Sequence, residues 1–248
     1  MKKLIWPIHL ILLKKINSTN QYAKKYINIW NNWTVIWTMN QTNGNGVGKN
    51  IWHSEKYKNL TFSIILKPIV PLSIEKKYII NIIISNAIQK ILSYHYSNDL
   101  FSIKWPNDII LDNKKIGGIL IENNVFSKKI YLSIIGIGLN INQTEFDEKW
   151  KATSLKKNLK VNSKLDYLFY EMILSIQKEY FLYIKFGEVF IRKYYINNLF
   201  LKNKSSLFYY KKKIFLGIIK SITNKGLLII EYNKKYCFFF EKEIKIIM

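Results

Sequence analysis

The chain has little with which to bind a metal or cross-link itself. Its single cysteine, Cys237, excludes an intramolecular disulfide and any cysteine-based metal site. It lies in Tyr236-Cys237-Phe238-Phe239-Phe240, where a small buried thiol is the expected role. The three histidines, His9, His53 and His95, are far apart and lack ligand spacing, so metal binding through His or Cys is not expected. Such cysteine usage points to a reducing, cytoplasmic setting. Prolines number four and glycines ten, and no Pro/Gly-rich linker interrupts the sequence. Apolar runs of membrane-spanning length are missing too. Residues 4–13 are nearly all apolar, but they have no small-residue cleavage site and Lys14-Lys15 follow at once. They read as a core strand rather than a signal peptide. A Gly-x-Ser-x-Gly elbow and a Cys/His pair are both absent.

Acidic residues are scarce: 16 stand against 39 basic ones, giving a formal net charge of +23. A charge of that size can attract nucleic acid, an anionic membrane surface or an acidic protein. A dedicated nucleic-acid face would cluster its lysines, whereas Lys14-Lys15, Lys24-Lys25, Lys76-Lys77 and Lys211-Lys212-Lys213 are scattered. The abundance of Ile, Lys, Asn, Tyr and Phe suits A/T-rich codons, so compositional drift is the expected source and no specific nucleic-acid partner is expected. Hydrophobic residues make up 49% of 248, enough for a sizeable core in one large domain or a large domain with an appendage.

Residues 102–122 are the stretch the chain is organised around. A short strand ends at Pro106, which has no N–H to donate. Asn107 and Asp108 follow at a turn. Apolar residues 109–111 and 116–121 flank Asp112-Asn113, the pattern of a β-hairpin with a polar connection. Lys104 stands in an otherwise apolar strand, which makes it a candidate anion binder aimed into a cleft; an edge-strand lysine in solvent is the alternative.

Upstream, Ser18 with Gln21 fits a capping box, and Tyr22, Ala23, Tyr26, Ile27 and Trp30 recur at helical spacing. Free N–H groups at such a helix start suit a polar or anionic ligand. Residues 33–39 and 60–66 read as strands. Between them lies the loop 40–50, with Gly44, Gly46 and Gly48 alternating. It is no Walker A loop, because Gly44 is one residue too close to Gly48-Lys49 and Asn50 replaces the Ser/Thr. Residues 73–93 read as a long apolar helix opened by Ser73. Residues 129–137 form a strand leading into Gly136-Ile137-Gly138-Leu139-Asn140, where Asn140 offers a donor and an acceptor. Helices are expected at 163–186, stopped near Gly187, and at 189–199. From residue 205 the period switches to strands at 206–210, 214–222, 227–231 and 236–240, with Asn224-Lys225-Gly226 as a hairpin turn. That change of period alone places a boundary near Phe200.

Lys104-Trp105-Pro106-Asn107-Asp108, followed by Lys115-Ile116-Gly117-Gly118-Ile119-Leu120-Ile121-Glu122, closely resembles the central motif of biotin–protein ligases. Ser18-Thr19-Asn20 and the ending at Asn140 are similar to that family as well. The resemblance implies an α/β (α+β) mixed-sheet catalytic domain over residues 1–199 and a small C-terminal SH3-like β-barrel over 200–248. It implies an ATP-dependent ligase that makes biotinyl-AMP from biotin and passes the acyl group to a lysine of a biotin carboxyl carrier domain of a carboxylase. Ser18, Thr19, Asn20 and Gln41 would border biotin's ring, with Gly44, Asn45, Gly46, Trp52, Lys104 and Gly118 completing that side. Lys104 would be the catalytic cation on the carboxylate and α-phosphate. Lys49, Asn107, Asp108 and Asn140 would face the nucleotide, Asp108 being the candidate for Mg2+. The family's loop arginines are replaced, since Asn45, Val47 and Gly48 stand at their positions and Lys49 is the cation left in the loop. Weaker retention of the adenylate, or compensation from Lys49, is expected. Seventeen residues precede Ser18, so an N-terminal winged-helix repressor domain is not expected. No membrane partner is implied, and a homodimer stays open. The alternatives are a lipoate–protein ligase, against which Trp105-Pro106 and residues 118–122 argue, a degraded ligase that binds without turnover, or a basic binding module.

Overall fold

The computed structural model describes residues 3–48, 50–97 and 99–247. In chain order the elements are β1 His9–Leu13, α1 Thr19–Lys25, β2 Thr34–Thr38, β3 Gly44–Asn45, β4 Ile51–Trp52, β5 Leu60–Leu66 and β6 Leu72–Ser73. Then follow α2 Tyr78–His95, β7 Phe101–Lys104, β8 Asp108–Leu111, β9 Lys114–Phe126 and β10 Lys129–Leu139. The last part holds α3 Leu155–Leu159, α4 Leu165–Asn197, β11 Ser205–Tyr210, β12 Lys213–Ile222, β13 Leu228–Tyr232, β14 Lys235–Phe239 and β15 Ile244–Ile246.

The main sheet runs β1-β2-β5-β10-β9-β8-β7, with β6 beside β10. Among the described residues the β1–β2 pair is the one parallel strand pair of this sheet, so the sheet is mixed. Both faces of its centre are covered, which explains why β5 is buried throughout, Thr61 and Ser63 included. Helices α2 and α4 pack over one face, on Val35, Phe62 and Ile64. Helix α1 and Trp30 cover the other, on Ile36, Ile65 and Ile134. Residues 4–13, expected as a core strand, instead supply the sheet edge: β1 pairs on one side only, and His9, Leu10 and Leu12 are exposed. Helix α1 stops at Lys25, short of the apolar repeat at Tyr26, Ile27 and Trp30, yet the Trp30 indole still anchors to it by donating to the Ala23 carbonyl at 2.7 Å. The two helices expected around Gly187 are present: α4 is interrupted at that glycine, whose φ of 77° is not helical.

The C-terminal strands form an antiparallel sheet ordered β14-β13-β12-β11-β15. Among the described residues β14 and β15 do not pair, so this is an open sheet rather than the closed barrel expected. Its inner residues Phe208, Ile219, Leu228, Ile230 and Phe239 belong to the same apolar core as the main sheet and α4. The connection into it covers the outer edge of β7: Ile103 N donates to the Asn198 carbonyl and Phe200 N to the Ile103 carbonyl, both at 2.8 Å. Among the described residues no helix is long and apolar enough to cross a membrane.

Candidate functional site

A polar pocket is built where α1 begins. Ser18 takes extended backbone angles and its hydroxyl accepts from Gln21 N, so it is the N-cap that the capping box requires. Thr19 and Asn20 are then turned down onto the sheet and buried. Gln41, at the end of the strand beside them, accepts through Oε1 from Thr19 N at 3.0 Å and from Thr19 Oγ1 at 3.3 Å. Ser63 of β5 ties the group together, lying 2.7 Å from Thr19 Oγ1 and 2.6 Å from Asn20 Oδ1. Asn20 Nδ2 donates to Glu122 at 3.0 Å, which orients the amide. The result is a set of fixed, buried donors and acceptors, where each is worth more than in water.

Ser18, Thr19, Asn20, Gln41, Asn45, Gly46, Trp52, Asn107, Asp108 and Gly118 all line one cleft of about 170 Å³. The expected glycine loop is a small hairpin, β3–β4, closed by Gly46 N donating to Asn50 O at 2.8 Å. It lays the Trp52 indole on the glycines of β9 and β10. At Gly138 the approach is so close that a Cβ would stand 2.3 Å from the indole ring. Trp52 Nε1 is buried there and has no partner among the described residues. Gly44 does not line the cleft; it packs under Gln41 and the Trp52 backbone. Lys49 lies outside the described residues.

The central hairpin forms as its residues dictate. Asp112 and Asn113 both take positive φ, 47° and 62°, the conformation a two-residue hairpin needs and one that Asp and Asn tolerate. The Trp105–Pro106 peptide is cis. Asn107 closes the turn, its carbonyl accepting from Ile119 N at 3.0 Å and its amide donating to the Ile119 carbonyl. Asp108 then meets Lys115 across the hairpin, with Nζ 2.6 Å from Oδ1. Lys115 Nζ also stands 5.7 Å from the Trp52 ring centre.

Lys104 does not line the first cleft. It lines an adjoining one of about 530 Å³, together with Trp52, His53, Asp108, Lys115, Asn140 and Trp150. Asp108, Lys115 and Trp52 border both clefts, so the two meet at the Asp108–Lys115 pair. Burial pushes the Lys104 ammonium below the usual lysine range; Asp108 opposes this, while Lys115, Lys245 and Lys151 add to it. In the second cleft the rings of His53 and Trp150 stack at 4.5 Å. Asn140 is fixed by donating Nδ2 to Thr153 O at 3.1 Å, while its Oδ1 has no partner among the described residues. Among the described residues no group of three or more His, Cys, Asp or Glu forms a metal cluster.

Sequence reasoning missed Ser63, one of two hydroxyl residues, with Thr61, in the otherwise apolar strand Leu60–Leu66, and that interruption was its only signal. It also passed over Lys115 as a functional group, although the residue lies within the motif quoted for the resemblance.

Residues 12–140 match the Biotin/lipoate A/B protein ligase family. The bifunctional ligase/repressor BirA of Bacillus subtilis (strain 168) is 27% identical over 240 residues, covering 91% of this chain and 70% of that protein. Among solved structures, the Aquifex aeolicus biotin protein ligase in complex with biotin and ATP has a TM-score of 0.79 at 22% identity, covering 96% of this chain and 98% of that one. The Leishmania major biotin protein ligase in complex with biotinyl-5-AMP has a TM-score of 0.68 at 19% identity, covering 95% and 100%. Likeness at these identities is a likeness of fold.

Proposed function

The chain belongs to the biotin/lipoate A/B protein ligase family, and from that premise we propose that it is a biotin–protein ligase acting through biotinyl-AMP. A carboxylate oxygen of biotin attacks the α-phosphorus of ATP, and pyrophosphate leaves. The ε-amine of a lysine on a biotin carboxyl carrier domain then attacks the mixed anhydride, forms the amide and releases AMP. Neither step needs an enzyme nucleophile, so rate comes from positioning and charge neutralisation.

The observation that carries this reading is the Asp108–Lys115 pair at the junction of a ring-sized polar cleft and a larger basic one. In our assignment the ureido ring lies among Ser18, Thr19, Asn20 and Gln41, and the nucleotide lies in the cleft of Lys104, Asn140 and Trp150. Acyl and phosphate oxygens then meet at Lys115, with Lys104 the second cation on the phosphate side. A ureido ring presents two donors and an acceptor, which suits a lining of amides and hydroxyls. The dithiolane of lipoate would leave those groups unpaired, which disfavours a lipoate–protein ligase. Trp150 offers a flat face for the base. Asn45, Val47 and Gly48 cannot supply the guanidinium contacts of the family's loop, and Lys104, Lys115 and Lys49 are the cations we assign in their place. Magnesium fits here as the nucleotide's own ion: it is commonly held by one carboxylate plus phosphates, and Asp108 is the acid bordering both clefts. When bound it would neutralise phosphate charge. The proposed setting is cytoplasmic.

The test is pyrophosphate release from ATP with biotin or lipoate, followed by transfer of labelled biotin to a carrier domain. Release with biotin alone, and transfer, are expected. Lys115→Ala should lower the rate on the order of a hundredfold, as removal of a charge-stabilising group does elsewhere. Equal release with lipoate would sink the biotin assignment, and near-normal rates in Lys115→Ala would remove that residue from its role.

A further inference from the structure

Trp105 and Pro106 stand inside the central motif, yet neither lines either cleft. Trp105 is 4% exposed and its indole points toward the C-terminal sheet, where Nε1 donates to the Gly226 carbonyl at 2.9 Å. The Pro106 carbonyl faces three donors: Tyr78 OH at 2.9 Å, Asn81 Nδ2 at 3.0 Å and Tyr195 OH at 3.3 Å. The two tyrosine hydroxyls lie 2.7 Å apart, so one proton serves their mutual bond and another reaches Pro106. Burial pushes both phenols up, and they stay neutral donors.

Residues 223–227, joining β12 to β13, are braced from the other side. Arg192 of α4 is buried, and its two terminal nitrogens donate to the Thr223 and Asn224 carbonyls at 3.0 and 3.1 Å. Within the turn, Leu227 N donates to Thr223 Oγ1 at 3.0 Å. Gly226 has a φ of 85° and lies flat on Tyr78, so that a Cβ would come within 2.3 Å of the ring. One continuous set of contacts thus runs from the 223–227 turn through Tyr78, Trp105 and Pro106 to Asn107. There the Asn107–Ile119 bonds hold Asp108 opposite Gly118 in the cleft wall.

We propose that Trp105, Tyr78 and Gly226 are positioning residues, through which the C-terminal sheet holds the Asn107–Asp108 turn, and so the Asp108–Lys115 pair, in place for adenylate formation. This rests on the ligase reading for its kinetic arm only. It assigns to the C-terminal sheet a part in the first chemical step without contributing a side chain to that contact. The polar groups of the ring pocket, Ser18 to Asn20, Gln41 and Ser63, share none of these bonds, although Asn20 donates to Glu122 of β9 and Asn107 and Asp108 close the far side of the same cleft.

Two variants approach the contact from opposite ends: Trp105→Phe removes the donor and keeps the bulk, and Gly226→Ala pushes a methyl into Tyr78. Each should lower kcat for biotin-dependent pyrophosphate release on the order of tenfold, within the penalty of a small misplacement. Biotin affinity should stay within about twofold, because the polar groups assigned to the ring are held by bonds outside this network. Amide hydrogen exchange gives an arm independent of activity. In both variants the Ile119 amide should lose protection, while the amides of β2 and β5 keep theirs. Unchanged kcat with unchanged Ile119 protection would overturn the proposal. So would a uniform loss of protection over the main sheet, which marks a merely structural role. If the unaltered protein releases no pyrophosphate with biotin, the ligase reading fails, and the exchange pattern alone still decides the coupling.

Discussion

At the scale of single residues, the cleft sets function against stability. Lys104 is held as a cation where burial lowers its proton affinity. Between its folded pKa and the ordinary lysine value of 10.5, the unfolded chain binds more protons than the folded one, so stability from this group rises with pH across that window. Below the window the cost of burying the charge is fully present. Lys104→Met should therefore stabilise the protein at neutral pH while lowering adenylation. Its advantage in urea melts should shrink as pH approaches 10.5. A gain that does not vary with pH would trace to packing alone. Gly138 makes the complementary case. Gly138→Ala places a methyl where the Trp52 indole lies, and overpacking of this kind costs about 1–3 kcal/mol. Biotin affinity measured by calorimetry should fall about tenfold, the low end of that range, with the fold retained; unchanged affinity would mean that Trp52 is not part of the pocket wall.

At the scale of elements, α2 and α4 show how an apolar helix carries polar cargo. The run Tyr78–His95 reads as core in the sequence, and so it is, yet Asn81, Ser85, Asn86 and Gln89 are buried with it. Three find partners across the fold, Asn81 on Pro106, Asn86 on Glu179 and Ile191, and Gln89 on Phe101, while Ser85 donates to Asn81 on the same helix. Glu179 is 1% exposed and is neutralised by Lys90 at 2.5 Å. Lys90→Met leaves that carboxylate buried without its cation, with Asn86 still donating to it. The expected loss is about 3 kcal/mol in denaturant unfolding, the usual result of breaking a buried pair from one side. The double change Lys90→Met with Glu179→Met should recover most of it. None of this pairing was visible in the sequence, because α2 and α4 lie far apart along the chain and come face to face only in the fold.

At the scale of the whole molecule, the charge of +23 acts on encounters rather than on the fold. An acidic carrier domain would be drawn to such a surface, and added salt would weaken the pull as the Debye length shrinks from about 10 Å at 0.1 M to about 3 Å at 1 M. Transfer of labelled biotin should therefore slow severalfold with added salt, through kcat/KM. Pyrophosphate release at saturating ATP should change little. Salt-independent transfer would leave the charge to composition.

What the sequence determined by itself was local. Strand and helix periods, the Ser18 cap, the Asp112-Asn113 hairpin and the glycines at the cleft could all be read because each depends on a few neighbouring residues. The motif around Lys104–Glu122 carried the family resemblance for the same reason. Tertiary structure decided which lysine borders both clefts, since Lys104 and Lys115 sit on strands paired through β8 and only the sheet's register sorts them. It decided that residues 4–13 form an edge, a matter of what pairs beside them. The C-terminal sheet's grip on Trp105 was beyond the sequence as well, because it rests on a contact between residues more than a hundred positions apart. Its energy comes from burial and pairing that exist only once the chain has closed on itself.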